Sequence, residues 1–204
     1  MGLFDKLSKK TSEKTPEKTA DQYLNESYNF YKLGRYSDSI ASCNKALDID
    51  PNYFDAWVSR GAAQSKLGLD TEALESNDEA LSINPNHAIA WYNRGILFGK
   101  YRKFSEALAC YDKSIAINPN YVDALAGRGS SLGDLGRFSE ALESHDKAVA
   151  INPNYALGWK FRAMTLLELG RYTEAIASCD KALAIDPSDT VAVKIREMAL
   201  KELK

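Results

Sequence analysis

The residues that most constrain this chain are its prolines. The sequence has six, and five of them, Pro51, Pro85, Pro119, Pro153 and Pro187, stand 34 residues apart. Each sits in a similar segment: DIDPNY at 48–53, SINPNH at 82–87, AINPNY at 116–121, AINPNY at 150–155 and AIDPSD at 184–189. Proline lacks a backbone N–H, and its ring clashes with the preceding helical turn, so it stops helices. A helix breaker returning at one fixed interval implies equal short units, each too small to bury its own apolar face and therefore stacked on its neighbours.

Numbering each unit from 1 places unit starts at residues 20, 54, 88, 122 and 156, with proline at position 32. Position 4 is Tyr23, Trp57, Trp91, Leu125 and Trp159, and position 11 is Phe30, Gln64, Phe98, Leu132 and Leu166. Between them, position 8 is Ser27, Gly61, Gly95, Gly129 and Ala163. Large, small, large at this spacing is one stripe of a helix, which makes the tryptophans core residues. Small residues at position 20 (Ser39, Ala73, Ala107, Ala141, Ala175) and position 27 (Ala46, Ala80, Ser114, Ala148, Ala182) let a second helix approach closely.

Glycine at position 15 (Gly34, Gly68, Gly136, Gly170) signals the end of the first helix. Arg102 stands there in the third unit, which predicts a different turn. Ser or Thr at position 18 (Ser37, Thr71, Ser105, Ser139, Thr173), each followed by an acid, reads as the cap of the second helix. Asn or Ser after the proline reads as the cap of the next first helix.

Position 7 is Arg60, Arg94, Arg128, Arg162 and Arg196 from the second unit onward. Sixteen residues before each stands Asn44, Asp78, Asp112, Asp146 or Asp180 on the preceding unit's second helix. Pairing back across the repeat boundary is favoured. The alternative, pairing within a unit, leaves Arg196 without a partner. The first unit has Glu26 at this position.

The pattern AWYNRGILFGKYRKFSEALACYDKSIAINPN resembles the tetratricopeptide repeat, a 34-residue helix–turn–helix, in five tandem copies without insertion over residues 20–189. The resemblance implies an all-α fold, a right-handed superhelical α-solenoid of antiparallel helix hairpins. The expected units are 20–53, 54–87, 88–121, 122–155 and 156–189, followed by a capping helix at 190–204 whose position 8 is the charged Glu197. Residues 1–19, with five lysines and no large apolar residue after Leu7, read as a flexible tail.

Composition narrows the function. A net charge of −2 lacks the basic footprint of a nucleic-acid binder. No window carries the roughly 18 apolar residues of a membrane span, and the first residues are too short for a signal-peptide core. Cys43, Cys110 and Cys179 include no close pair, which fits a reducing cytoplasm and neither disulfides nor zinc. His145 occupies a packing position, and His87 a loop position otherwise held mostly by tyrosine. No catalytic grouping, metal site or cofactor motif is present, so the chain reads as a non-catalytic scaffold or adaptor that binds a protein or peptide.

The resemblance implies a concave groove lined by positions 2, 5, 6, 9, 12 and 13 of the first helices. The carboxylate clamp that some members use is absent, because Leu24 and Tyr28 stand where Lys and Asn are needed. In unit four, Ala126, Gly127, Ser130 and Gly133 make a trough nearly free of side chains. Its walls are Ile89, Tyr92 and Ile96 on one side and Leu157, Phe161, Met164 and Leu167 on the other, with Asn93, Lys100 and Lys160 to orient an apolar segment. The alternative reading is a membrane-associated assembly factor tethered by residues 2–10, where Leu3, Phe4 and Leu7 share a helical face with lysines beside them. Homodimerisation through exposed apolar groups is a third reading.

Overall fold

The computed structural model describes residues 18–204, which form eleven α-helices and no strand. The helices are α1 (Ala20–Lys32), α2 (Tyr36–Ile49), α3 (Phe54–Lys66), α4 (Asp70–Ile83), α5 (Ala88–Lys100), α6 (Phe104–Ile117), α7 (Val122–Asp134), α8 (Phe138–Ile151), α9 (Ala156–Glu168), α10 (Tyr172–Ile185) and α11 (Thr190–Glu202). Each odd helix packs on the even helix that follows, and each even helix on the next odd one. Successive odd helices also touch, α1 on α3 through α9 on α11, whereas successive even helices do not. The stack is therefore tighter on the odd side, and an α-solenoid results with the odd helices lining its concave face.

The turn inside each hairpin closes in one way. In the first, Gly34 N–H donates to Tyr31 C=O (3.0 Å) and Arg35 N–H to Phe30 C=O (2.9 Å), the Schellman arrangement. It needs a left-handed residue, and Gly34, Gly68, Gly136 and Gly170 have φ of 72°, 77°, 74° and 70°. The third hairpin corrects the sequence expectation. Arg102 adopts φ 57° and the same pair of bonds, to Gly99 and from Lys103 to Phe98, so the turn is unchanged. A side chain in this region costs about 1 kcal/mol that glycine avoids.

The caps also differ from expectation. The Schellman closure delivers the chain straight into the second helix, so α2, α4, α6, α8 and α10 each begin one residue before the position-18 Ser or Thr. The residues at their N-caps, Arg35, Leu69, Lys103, Arg137 and Arg171, make no side-chain cap bond. The following acids instead bind the arginines, as in the paired bonds of Arg137 to Glu140 (2.7 and 2.6 Å). Between hairpins, the Asn after proline does not cap. Its N–H donates to the side chain two residues back (Asn52 to Asp50, 3.0 Å), and the next helix starts after position 34.

The expected small positions hold. Every residue at positions 20 and 27 is fully buried. The tryptophans are only half-buried. Trp57 and Trp91 pack against small apolar clusters, but the indole N–H reaches out to the preceding proline carbonyl: Trp57 to Pro51 (2.8 Å), Trp91 to Pro85 (2.9 Å), Trp159 to Pro153 (2.8 Å). They pin the loop between units rather than fill the centre, where Leu132 and Leu166 are fully buried.

The position-7 arginines pair backward across each boundary: Arg94–Asp78 (2.9 Å), Arg128–Asp112 (2.7 Å), Arg162–Asp146 (2.6 Å), Arg196–Asp180 (2.7 Å), with Arg60 on Asn44 (3.2 Å). Arg60, Arg128 and Arg162 also hold the serine at position 23 of their own unit, so each ties three helices together.

Candidate functional site

The inner layer is built around a size-matched pair, positions 8 and 24 of one unit. Where position 24 is Cys43 or Cys179, position 8 is Ser27 or Ala163, in contact. Where it is Asn77, Tyr111 or His145, position 8 is Gly61, Gly95 or Gly129, and a Cβ there would run into the larger side chain. Tyr111 reaches farther still, to within 2.7 Å of where a Cβ on Gly127 would lie. Gly127 therefore accommodates a tyrosine from the neighbouring unit.

A second pairing lines the concave face, between position 2 and position 34. Tyr53 O–H donates to Asp21 (2.5 Å), Tyr155 to Asp123 (2.9 Å), and His87 Nε2 stands 3.8 Å from Asp55. Where position 2 is Ile89, Tyr121 turns to Tyr92 instead, ring centroids 5.0 Å apart. Where it is Leu157, Asp189 takes Lys160 (2.7 Å). His87 also caps α5, its Nδ1 accepting from Ala90 N–H at 3.2 Å.

Four cavities run along this face. They lie between α1 and α3 (240 Å³), α3 and α5 (330 Å³), α5 and α7 (300 Å³), and α7 and α9 (540 Å³). Neighbouring cavities share lining residues: Ala62 and Asn93, then Tyr92 and Ile96, then Ser130 and Phe161. They form one continuous trough. Ile89, Ile96, Leu157 and Met164 stand exposed along it.

The sequence-derived residues divide. Ile89, Tyr92, Asn93, Ile96, Lys100, Ala126, Gly127, Ser130, Gly133, Leu157, Phe161 and Met164 all line the trough. Ala126 is 2% exposed and contributes wall rather than a side chain to grip. Lys160 and Leu167 line none of these cavities. Lys160 is paired with Asp189, and Leu167 packs beneath the last helix near Ile195. Lys100 lines the trough while also pairing with Asp70 (2.5 Å), whose carboxyl it and Tyr101 hold below the usual range. Two residues went unnoticed in sequence. Val191 and Met198 of α11, at positions 2 and 9 of a sixth first helix, are 46% and 56% exposed. The same register that places Glu197 at position 8 places them on the concave side of the last helix.

The trough offers little reactivity. His145 is buried, and burial pulls its pKa down to about 4, so its ring is neutral at ordinary pH. All three cysteines are buried thiols, and burial pushes Cys179 up to about 11. Among the described residues no three His, Cys, Asp or Glu side chains gather as a metal site requires, and no helix is long and apolar enough to cross a membrane. The amphipathic stretch at residues 2–10 lies outside the described residues.

Comparison with known proteins agrees with this architecture. The family described as tetratricopeptide repeat matches residues 88–121 and again 126–190, the TPR repeat family matches 28–68, and the protein prenyltransferase alpha subunit repeat matches 70–101. Among curated proteins no match was found. Among solved structures, the fold is similar to TTC0263, a thermophilic TPR protein of Thermus thermophilus (TM-score 0.72, 24% identity, 90% of this chain and 98% of that one). It is also similar to MamA from Desulfovibrio magneticus RS-1 (0.70, 20%, 84% and 97%). A third is YrrB, described as a TPR protein with an unusual peptide-binding site (0.67, 21%, 87% and 92%). With the period, the Schellman turns and the solenoid of hairpins already in place, these matches establish that the chain belongs to the tetratricopeptide repeat family.

Proposed function

We propose that this protein is a non-catalytic interaction module that holds an extended segment of a protein partner in its concave trough. The observation that carries the reading is the continuity of the four cavities, with apolar side chains standing in water along them. Exposed apolar surface in a groove is costly in isolation and typifies an interaction site. The peptide-binding description of YrrB, a structure of the same fold, is consistent with it. Three buried, unpaired cysteines fit work in a reducing compartment such as the cytoplasm.

Ser130 and Phe161 each line both the α5/α7 and the α7/α9 cavity, which makes them the place to test the reading. Affinity capture from source lysate is compared for wild type, Ser130→Trp, which fills both cavities, and Phe161→Ala, which removes a shared wall. Both variants are expected to keep wild-type helical content and lose the proteins that wild type retains. Retention of the same proteins by both folded variants would locate binding elsewhere.

A further inference from the structure

The α3/α5 and α7/α9 cavities are the same place in the fold, two repeats apart. Position by position their linings correspond, yet their charges are opposite. At position 13 the first has Lys66 and Lys100, and the second has Asp134 and Glu168. All four are exposed. At position 24 each has a deeply buried polar side chain with an orphaned atom. Asn77 Oδ1 and His145 Nδ1 have no hydrogen-bond partner, and their residues are 1% and 2% exposed. Burying an unpaired polar atom is unfavourable unless something else completes it. Both residues line their cavities, so the two sites share a polar floor as well as a rim of charge.

The two differ at position 17. In the first, Asp70 already engages one donor of Lys100, which keeps its side chain 50% exposed and its remaining donors free. In the second, position 17 is Phe138, and neither Asp134 nor Glu168 has an ion-pair partner among the described residues. Two uncompensated carboxylates above Phe138, Phe161 and Met164 suit a long basic side chain, whose stem packs on the apolar walls while its cation meets the acids and the ring faces. The first cavity suits a carboxylate. Between them, the α5/α7 cavity presents Tyr92, Ile96 and Leu157 beside Asp123, whose carboxylate already accepts from Tyr155 O–H, so its middle is mainly apolar.

We propose that the trough recognises an extended segment carrying an acidic and a basic side chain on either side of an apolar stretch, the acid held at Lys66 and Lys100 and the base at Asp134 and Glu168. Odd helices in contact are about 10 Å apart, so two repeats span about 20 Å, or about six residues at ~3.3 Å each. The inference rests on reading the trough as a peptide groove.

The experiment selects random dodecapeptides on the full chain and sequences the binders. Wild type is expected to enrich one acid and one base about six residues apart, in one order only. Asp134→Lys with Glu168→Lys should erase the basic position and keep the acidic one. Lys66→Glu should do the reverse, and each variant should bind the wild-type peptides about tenfold more weakly, with raised salt acting in the same direction. These side chains are exposed at helix ends, and circular dichroism checks that each variant is folded. Binders that Ser130→Trp blocks but that lack the charge pair, or a motif indifferent to these variants, would overturn this inference and leave the groove reading intact. Failure to select any peptide that Ser130→Trp blocks would overturn both.

Discussion

At the seams between repeats this molecule repeats itself; along the trough it does not. Positions 20 and 27 are Ala or Ser in every unit and fully buried, and the position-7 arginine crosses every boundary to an Asp, or once to Asn44. Position 24, by contrast, is Cys, Asn, Tyr, His and Cys in turn. The seam must join each unit to the next, so one close-packed solution serves throughout. The inner layer is free to vary because position 8 gives way: glycine faces a large side chain, and serine or alanine faces cysteine. What the difference teaches is that stacking is encoded by what the repeats share, and the make-up of the inner layer by how they depart from it.

The largest expected effect breaks that comparison with acid. His145 is the one ionisable imidazole at position 24, with a folded pKa of about 4. Unfolded, it takes a proton near pH 6.5. Between these values the unfolded chain binds the extra proton, so stability falls as pH drops through the window, by about 3 kcal/mol in all near pH 4. Denaturant unfolding at several pH values checks this. Replacing the pair Gly129 and His145 with the Ala163/Cys179 combination of unit five should remove that part of the pH dependence.

The size match itself is tested next. Gly129→Ala places a methyl group against the His145 ring and should cost about 2 kcal/mol by thermal or chemical melting. Adding His145→Cys should recover most of that loss. A double variant whose loss equals the sum of the losses of Gly129→Ala and His145→Cys measured singly would show that positions 8 and 24 are not coupled.

The smallest effect sharpens the seam side. Arg102→Gly gives the third hairpin the residue its four counterparts have, at a backbone φ of 57°. It should gain about 1 kcal/mol, read as a higher melting temperature with binding unchanged. A loss would mean that the Arg102 guanidinium, over the Phe104 ring at 5.4 Å, contributes more than the backbone strain takes away.

Much of this fold was legible because its information is local and repeated. The spacing of Pro51, Pro85, Pro119, Pro153 and Pro187 marked the hairpin boundaries, small residues at positions 20 and 27 marked the close contacts, and the Arg–Asp interval of 16 marked the seam pairs. Most of the trough followed from the family resemblance, which implies positions 2, 5, 6, 9, 12 and 13, and register adds that these share one face of a straight helix.

The tertiary structure decided what spacing does not carry. Ser37 lost its capping role because the Schellman turn starts the helix earlier, and Arg102 was held left-handed by the same closure as its glycine counterparts. Trp91 was drawn outward by the carbonyl of Pro85. Gly127, open in sequence, is occupied by Tyr111 from the unit before, and Lys160 is engaged by Asp189 from the loop after. In each case the deciding partner lies in another turn or another unit. A period says that two helices meet; which side chain fills the gap depends on the sizes and hydrogen-bonding needs of both partners once they are packed.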